Sequence, residues 1–264
     1  MKEFIDDLLT QASYIANRSF RNVITTVKQE DNNQVLTEAD IAIGKYIVEK
    51  IAEKFPTDNI IDEEAGVIDR GSNRTWVIDP IDGTSNFAAG LPHFGIMIGL
   101  LESDQPLAGG IALPAYNLVY TAEKGRGAFC GQERISVSKE KMLRNALVAY
   151  GIDGHKEIPD ITYAEGKILA SIVLEIRNLR TSNSAYDLAM VAAGKYGAIM
   201  NQTSKIWDNV APQIIIEEAG GIYAAFDGTP IDYSDCLLRV DQNFTVCAGA
   251  PALYEQLQAI IHKQ

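Results

Sequence analysis

The chain is short of cysteine, of positive charge and of long apolar runs. Its three cysteines, Cys130, Cys236 and Cys247, are odd in number and none stands in a Cys-x-x-Cys pair. That excludes a disulfide framework and a zinc cluster, leaving ordinary reduced thiols. His93 has no histidine partner at ligand spacing and is read as a structural residue. With 23 Lys and Arg against 35 Asp and Glu, the formal charge is −12, and Coulomb repulsion then opposes a nucleic-acid groove or an anionic membrane surface. An anionic substrate would need cations to mediate its binding. The opening Met1-Lys2-Glu3-Phe4-Ile5-Asp6-Asp7 lacks the apolar stretch of a signal peptide, and no later run approaches the ~20 apolar residues of a membrane span. The expected location is the cytoplasm. No Pro-rich or Gly/Ser-rich linker, internal repeat or low-complexity tract divides the chain, so any lobes are tightly joined.

What is present is a globular composition: 264 residues, 47% hydrophobic and 22% charged, enough for a large core in one large domain or two small ones. Apolar positions recur at helical spacing from Phe4 to Arg21 and from Ala39 to Phe55, with a polar loop at Lys28–Asn33 between them. Strands are expected at Asn59–Ile61, Thr75–Asp79, Ile96–Glu102, Leu107–Leu113 and Asn117–Glu123, with Pro114-Ala115-Tyr116 as a hairpin turn. The first half thus reads as helices backing a largely antiparallel sheet. Beyond Lys139 the pattern alternates: strand Ala146–Tyr150, helix Tyr163–Leu174, strand Glu175–Asn178, helix Ala185–Gly194, strand Ala198–Met200 and helix Asn209–Ala219. That is the rhythm of an α/β layered lobe.

The chemistry concentrates in Asp79-Pro80-Ile81-Asp82-Gly83-Thr84, which follows the apolar run Trp76-Val77-Ile78. Two carboxylates leave the end of a buried strand, a proline stiffens the step between them, and a glycine turn brings a hydroxyl to the same point. Alone, Asp82-Gly83 reads as a turn and Asp79 as a helix cap; the second acid, the proline and the following Thr84-Ser85-Asn86-Phe87 favour a site. The amides of Gly83, Thr84 and Ser85 would open a helix, whose unpaired donors suit a phosphate. Glu63-Glu64 also ends a short strand, though taken alone it reads as a solvated pair. Asp208 stands where the N-cap of the helix Val210–Ala219 belongs, beside Trp207. Acids from three separated segments then supply the hard oxygen ligands that Mg²⁺ requires. Two cations lower the pKa of the attacking water and neutralise the departing alkoxide in an in-line displacement, so no protein nucleophile is needed.

Competing motifs fit less well. Gly125-Arg126-Gly127 lacks the third glycine and the helix of a dinucleotide fingerprint and reads as a hairpin or loop. Phosphatases of the haloacid dehalogenase type need their aspartates two apart, the first as nucleophile, whereas Asp79 and Asp82 are three apart. A non-catalytic divalent-metal binder is the remaining alternative, but the alternating acids of an EF-hand loop are missing.

Glu63-Glu64, the segment Trp76–Phe87 and Trp207-Asp208 with Glu217-Glu218-Ala219-Gly220-Gly221 resemble the signatures of the inositol monophosphatase family of Mg²⁺-dependent phosphatases. Leu36-Thr37-Glu38-Ala39-Asp40, Leu91-Pro92-His93-Phe94 and Gly125-Arg126-Gly127-Ala128-Phe129 extend the likeness over nearly the whole chain. The resemblance implies an αβαβα sugar-phosphatase-like sandwich, mixing α+β and α/β parts. An N-terminal α+β lobe over residues 1–140 would bear most metal ligands, and a C-terminal α/β lobe over 141–264 would add Asp208 and the substrate wall. It implies that Glu63, Asp79 and the Ile81 carbonyl hold one metal, that Asp79, Asp82 and Asp208 hold a second, and that a third, weaker ion leans on Glu63. The cofactor would be two to three Mg²⁺ ions, with Mn²⁺ as a substitute. The catalytic set would be Asp40, Thr84, Glu63 and Glu64, Thr84 with Asp40 orienting and deprotonating the attacking water. Gly83 and Thr84 amides would bind the phosphate. A homodimer, inhibition by Li⁺ and a small phosphorylated substrate are further implications.

The substrate wall departs from the family pattern. Members that prefer inositol phosphates carry a glutamate seven residues before the tryptophan-linked aspartate, and this chain has Asn201; the segment before the next helix reads Ser182-Asn183-Ser184. An amide in place of an acid removes charge from the pocket, so inositol 1-phosphate and the NADP 2′-phosphate are both expected substrates. Fructose 1,6-bisphosphate and 3′-phosphoadenosine phosphates remain alternatives for the main activity.

Overall fold

The computed structural model describes residues 1–20, 25–27 and 35–263; the polar loop expected at 28–33 and the expected helix end at Arg21 lie outside them. The first helix, Lys2–Ser19, buries Ile5, Leu8, Leu9, Ala12 and Ala16, the one-sided stripe that its periodicity demands. The second, Glu38–Lys54, buries Ala39, Ile43, Ile47 and Ile51. It starts at a reciprocal capping box in which Thr37 and Asp40 satisfy each other's amide. Both helices lie on one face of an eight-stranded sheet and share a core with Trp76, Ile78, Ile96 and Ile98.

In spatial order that sheet runs Glu133–Arg134, Gly127–Cys130, Leu118–Glu123, Gln105–Leu113, Gly95–Glu102, Arg74–Asp82, Asn59–Asp62 and Gly66–Ile68. Every neighbouring pair is antiparallel except Asn59–Asp62 beside Arg74–Asp82, which is parallel. Pro114–Tyr116 is a 3₁₀ turn joining two paired strands, as its hairpin reading requires.

Helices Ala185–Ala192 and Val210–Glu218 cover the other face of this sheet and also pack on a second sheet. The second sheet orders its strands Asn178–Arg180, Leu147–Gly151, Ala198–Ser204, Phe244–Gly249 and Ile222–Ala224, the first three parallel. Helices Pro159–Val173 and Pro251–Ile261, packed on each other, complete the outer layer. The five layers therefore alternate helix, sheet, helix, sheet, helix. Among the described residues no helix is long and apolar enough to cross a membrane.

Several elements differ from the sequence reading. The strand expected at Glu175–Asn178 is displaced to Asn178–Arg180, because the Glu175 amide closes a turn on Ile172 O and the Arg177 amide bonds Leu143 O and Ala146 O. The strand Ala198–Ser204 runs four residues past Met200. The last two strands and the final helix carried no motif that singled them out.

The middle helix layer sits very close to the first sheet. A Cβ built on Gly109 would lie 2.8 Å from Ile214 Cγ2 and 2.9 Å from Ala211 Cα, so the obstacle is the backbone of the helix itself. Gly109→Ala is expected to cost about 1–3 kcal/mol, since a close-packed core must shift to admit a methyl group. The same shift moves the helix that begins beside Asp208. A fall of a few degrees in melting temperature together with weaker Mg²⁺ binding checks this.

Candidate active site

Asp79 and Asp82 lie on one long strand, Arg74–Asp82, which continues three residues beyond the expected end at Asp79. In a regular strand, residues three apart point to opposite faces. Here the pairing with Gly95–Glu102 passes from Asp79 opposite Met97 to Asp82 opposite Gly95, a one-residue shift, and Pro80 has no N–H to carry the ladder across it. The bulge turns Asp82 to the side of Asp79, so their convergence comes from the irregular strand and not from its end. Gly83 follows at φ 84°, ψ 39° and opens a short helix, Thr84–Ala88. A Cβ there would fall 2.7 Å from that of Ser184, so the left-handed turn and the close approach both require glycine.

The third acid arrives differently from its sequence reading. Asp208 does not cap the following helix: Asn209 occupies the N-cap, and Asp208 ends a 3₁₀ turn, Ile206–Asp208. Its Oδ2 accepts the Lys205 amide at 2.6 Å, folding the carboxylate back toward the sheet. Asn209 donates its Nδ2 to Ser204 Oγ at 2.9 Å and accepts the Tyr223 hydroxyl at 2.9 Å, which locks the turn from beneath. One carboxylate oxygen each from Asp79, Asp82 and Asp208 then lies within 4.8 Å of the others. Asp82 also accepts the amide of Ala185, the first residue of helix Ala185–Ala192, tying the first sheet to the middle helix layer.

These acids form the floor of a cleft of about 350 Å³. Glu63 borders it, its amide bonded to Ile78 O at 3.2 Å just past the strand Asn59–Asp62. Gly83, Thr84, Ser182, Asn183, Ser184 and Asn201 also line the cleft, as does the Ile81 residue. Asp40 and Glu64 do not. Asp40 is 1% exposed and its Oδ2 accepts the Thr37 amide at 2.8 Å and the Thr37 hydroxyl. The Thr84 hydroxyl instead donates to Ile81 O at 2.8 Å. Thr84 therefore lines the cleft with its hydroxyl on Ile81 O, while Asp40 lies outside the lining with its Oδ2 held by Thr37.

The electrostatics are those of crowded carboxylates. Burial, then the charges of Glu63, Asp82, Asp208 and Asp40, push the Asp79 carboxyl well above its usual range. Burial followed by Asp208, Glu63 and Asp187 does the same to Asp82. Burial raises Asp208 to about 6 against the opposing Lys205 amide, and burial raises Asp40 to about 6 against its bonds from Thr37. Asp79 Oδ1 is buried without a hydrogen-bond partner among the described residues. Lys205, the cationic residue among those lining the cleft, donates its Nζ to Asp241 O at 2.6 Å. A buried carboxylate oxygen with no donor, beside two more carboxylates and a strand-end carbonyl, is the donor set of a hard divalent cation.

Two lining acids carried no motif. Asp187, 2% exposed, accepts the amides of Ser182 at 2.8 Å and Asn183 at 3.1 Å and so shapes the segment opposite Gly83. Its signal was an acid on the apolar face of the helix Ala185–Ala192. Asp153 follows the end of the parallel strand Leu147–Gly151, where side chains of an α/β sheet meet their ligands.

Comparison with known proteins agrees over the length of the chain. The profile of the inositol monophosphatase family matches residues 1–263. The chain is 34% identical over 227 residues to the fructose-1,6-bisphosphatase/inositol-1-monophosphatase of Thermotoga maritima, covering 86% of this chain and 85% of that one. It is 32% identical over 237 residues to the Nus factor SuhB of Xylella fastidiosa, covering 89% and 84%. Among solved structures it is similar to an IMPase of Thermotoga maritima, with a TM-score of 0.84, 28% identity, and 97% and 94% of the two chains covered.

Proposed function

This chain belongs to the inositol monophosphatase family, and from that premise we propose that it is a Mg²⁺-dependent phosphomonoester hydrolase of the inositol-phosphate type. The observation that carries the proposal is the meeting of Asp79, Asp82 and Asp208 within 4.8 Å, with Asp79 Oδ1 buried and without a hydrogen-bond partner among the described residues. In this reading residues 1–140 supply Glu63, Asp79, the Ile81 carbonyl and Asp82, while residues 141–264 add Asp208 and the substrate wall. Bound there, two Mg²⁺ ions with a weaker third would supply Lewis-acid activation of water and charge neutralisation at the phosphoryl group; Mn²⁺ satisfies the same oxygen ligands.

The protein's own groups do the rest. The Gly83 and Thr84 amides, at the start of the helix Thr84–Ala88, receive phosphate oxygens. The Thr84 hydroxyl donates to Ile81 O, so its lone pairs are left to orient the attacking water. Glu63, on the border of the cluster, accepts the proton, and Asp40 and Glu64 act through the field they add around it. Ser182, Asn183, Ser184 and Asn201 line the space for the leaving alcohol. Asn201 Oδ1 accepts the Thr203 amide at 2.8 Å, which leaves its Nδ2 to donate into the cleft. A donor amide there suits ring oxygens or an additional phosphate, so the proposed range includes inositol 1-phosphate, the NADP 2′-phosphate and fructose 1,6-bisphosphate. The double name of the Thermotoga maritima relative supports breadth of this kind. A cytoplasmic homodimer completes the proposal.

A phosphate-release panel with these substrates at fixed Mg²⁺ tests it. Turnover is expected with at least inositol 1-phosphate, loss of it in EDTA, recovery on adding Mg²⁺, and inhibition by millimolar Li⁺, a small hard cation with half the charge. Tight Mg²⁺ binding without phosphate release from any monoester would make the site a non-catalytic one.

A further inference from the structure

We propose that Asp153 is a specificity-determining residue that accepts hydrogen bonds from the hydroxyls of a polyhydroxylated leaving group; the proposal rests on the phosphatase reading above. Asp79, Asp82 and Asp208 are gathered at the cluster, and Asp187 is buried with one oxygen on the loop amides. Asp153 is different. It is half-buried, it lines the cleft from the second sheet, and its charge is felt at Asp208. It therefore stands next to the cluster without belonging to it, where the alcohol portion of a phosphomonoester must lie.

Its position is built. Asn183 Nδ2 donates to Asp153 Oδ1 at 3.2 Å. Thr162 Oγ1 donates to the Asp153 carbonyl at 3.3 Å and accepts the His155 amide at 2.8 Å, while His155 Nε2 lies 3.2 Å from Thr203 Oγ1. Four contacts thus hold a short loop that has no regular secondary structure. Gly151 leaves the space: a Cβ there would fall 2.6 Å from Asn183 Oδ1 and 3.0 Å from Asn201 Nδ2, so the two amides meet where a side chain would stand. The resulting wall offers one carboxylate, which only accepts, beside an amide that donates. A ring bearing adjacent hydroxyls satisfies both. An aryl group satisfies neither, and a second phosphate is repelled by Asp153.

A site that hydrogen-bonds a substrate hydroxyl discriminates strongly against analogues that lack it. Asp153→Asn is expected to lower the ratio of kcat/KM for inositol 1-phosphate over that for p-nitrophenyl phosphate at least tenfold, chiefly through KM for the inositol ester. The ratio of fructose 1,6-bisphosphate to inositol 1-phosphate should rise, since the charge that repels the second phosphate is gone. Asn183→Gly serves as a second variant: Asn183 has φ 52°, which glycine adopts without strain, so the backbone is kept while the tether is removed. It should move the first ratio in the same direction by about threefold. Ratios within twofold of wild type in both variants, in an enzyme that still hydrolyses these monoesters, would overturn the role of Asp153 and leave the phosphatase reading standing. A wild-type protein that releases phosphate from none of them would overturn both.

Discussion

Asp82→Asn and Asp208→Asn are each expected to lower kcat/KM at least a hundredfold at saturating Mg²⁺, a loss of about 2.7 kcal/mol in transition-state stabilisation. Each substitution keeps the size of the side chain but removes one anionic ligand from a set of three. The transition state gathers charge on the phosphoryl oxygens and the departing alkoxide, and a cation held by fewer charges is displaced from the place where that charge develops. Asp82 also receives the Ala185 amide and Asp208 the Lys205 amide, and an Asn Oδ1 still accepts either. Both variants should therefore fold, and both should bind Mg²⁺ more weakly, because the amide's Nδ2 is then presented to the cation in place of an oxygen. Steady-state kinetics with calorimetric titration of Mg²⁺ measures both. Near-native turnover in either variant would remove the aspartate cluster from the reaction.

The parts of the fold legible in the sequence were those with strong periodicity or punctuation. The stripe Ile5, Leu8, Leu9, Ala12, Ala16 announces its helix, and Pro114 with Tyr116 announces its hairpin. The change of rhythm after Lys139 announced an α/β layered lobe, whereas the five-layer order was implied by the family resemblance. What was not legible was decided by contacts distant in sequence. Whether Asp79 and Asp82 face one way depends on a register shift against Gly95–Glu102, and a strand's own residues do not reveal its partner's register. Asp208 reads as an N-cap because an acid before a helix usually is one; a 3₁₀ turn held by Ser204, Tyr223 and Asn209 moves the cap on by one residue. The Thr84 hydroxyl and Asp40 Oδ2 likewise meet neighbours along the chain, while Asp40 Oδ1 is buried without a hydrogen-bond partner among the described residues. In the wall of the cleft Asn183 and Asn201 were legible, whereas Asp153 was not, because it stands on a loop beyond Leu147–Gly151 that only the fold brings beside them.

The last expectation concerns stability without substrate. Asp79, Asp82 and Asp208 have carboxyl groups raised by burial and by one another, Asp208 to about 6, against about 3.9 for an unfolded aspartate. A carboxyl group whose folded pKa exceeds its unfolded one contributes stability that is fully present below the unfolded value and is lost as pH rises through the folded value. The metal-free protein should therefore be most stable near pH 5 within the range pH 5 to 8, and melt progressively lower as pH rises through 6 and beyond. Asp82 and Asp208 keep an open edge to the cleft, so the full shift is discounted to about 1–2 kcal/mol. For a chain of this length that is a melting-temperature change on the order of 5 °C. Mg²⁺ reverses the slope, because it binds the deprotonated carboxylates and competes with protons for them: its stabilising effect should be small at pH 5 and largest at pH 8. Asp82→Asn, which removes one of the repelling charges, should raise the melting temperature of the metal-free protein at pH 8 while shrinking the gain on adding Mg²⁺. Thermal melts of both proteins in EDTA and in Mg²⁺ at pH 5 and 8 separate these terms. A metal-free wild-type protein whose melting temperature rises from pH 5 to 8 would show that the three carboxylates are not held together against their own repulsion.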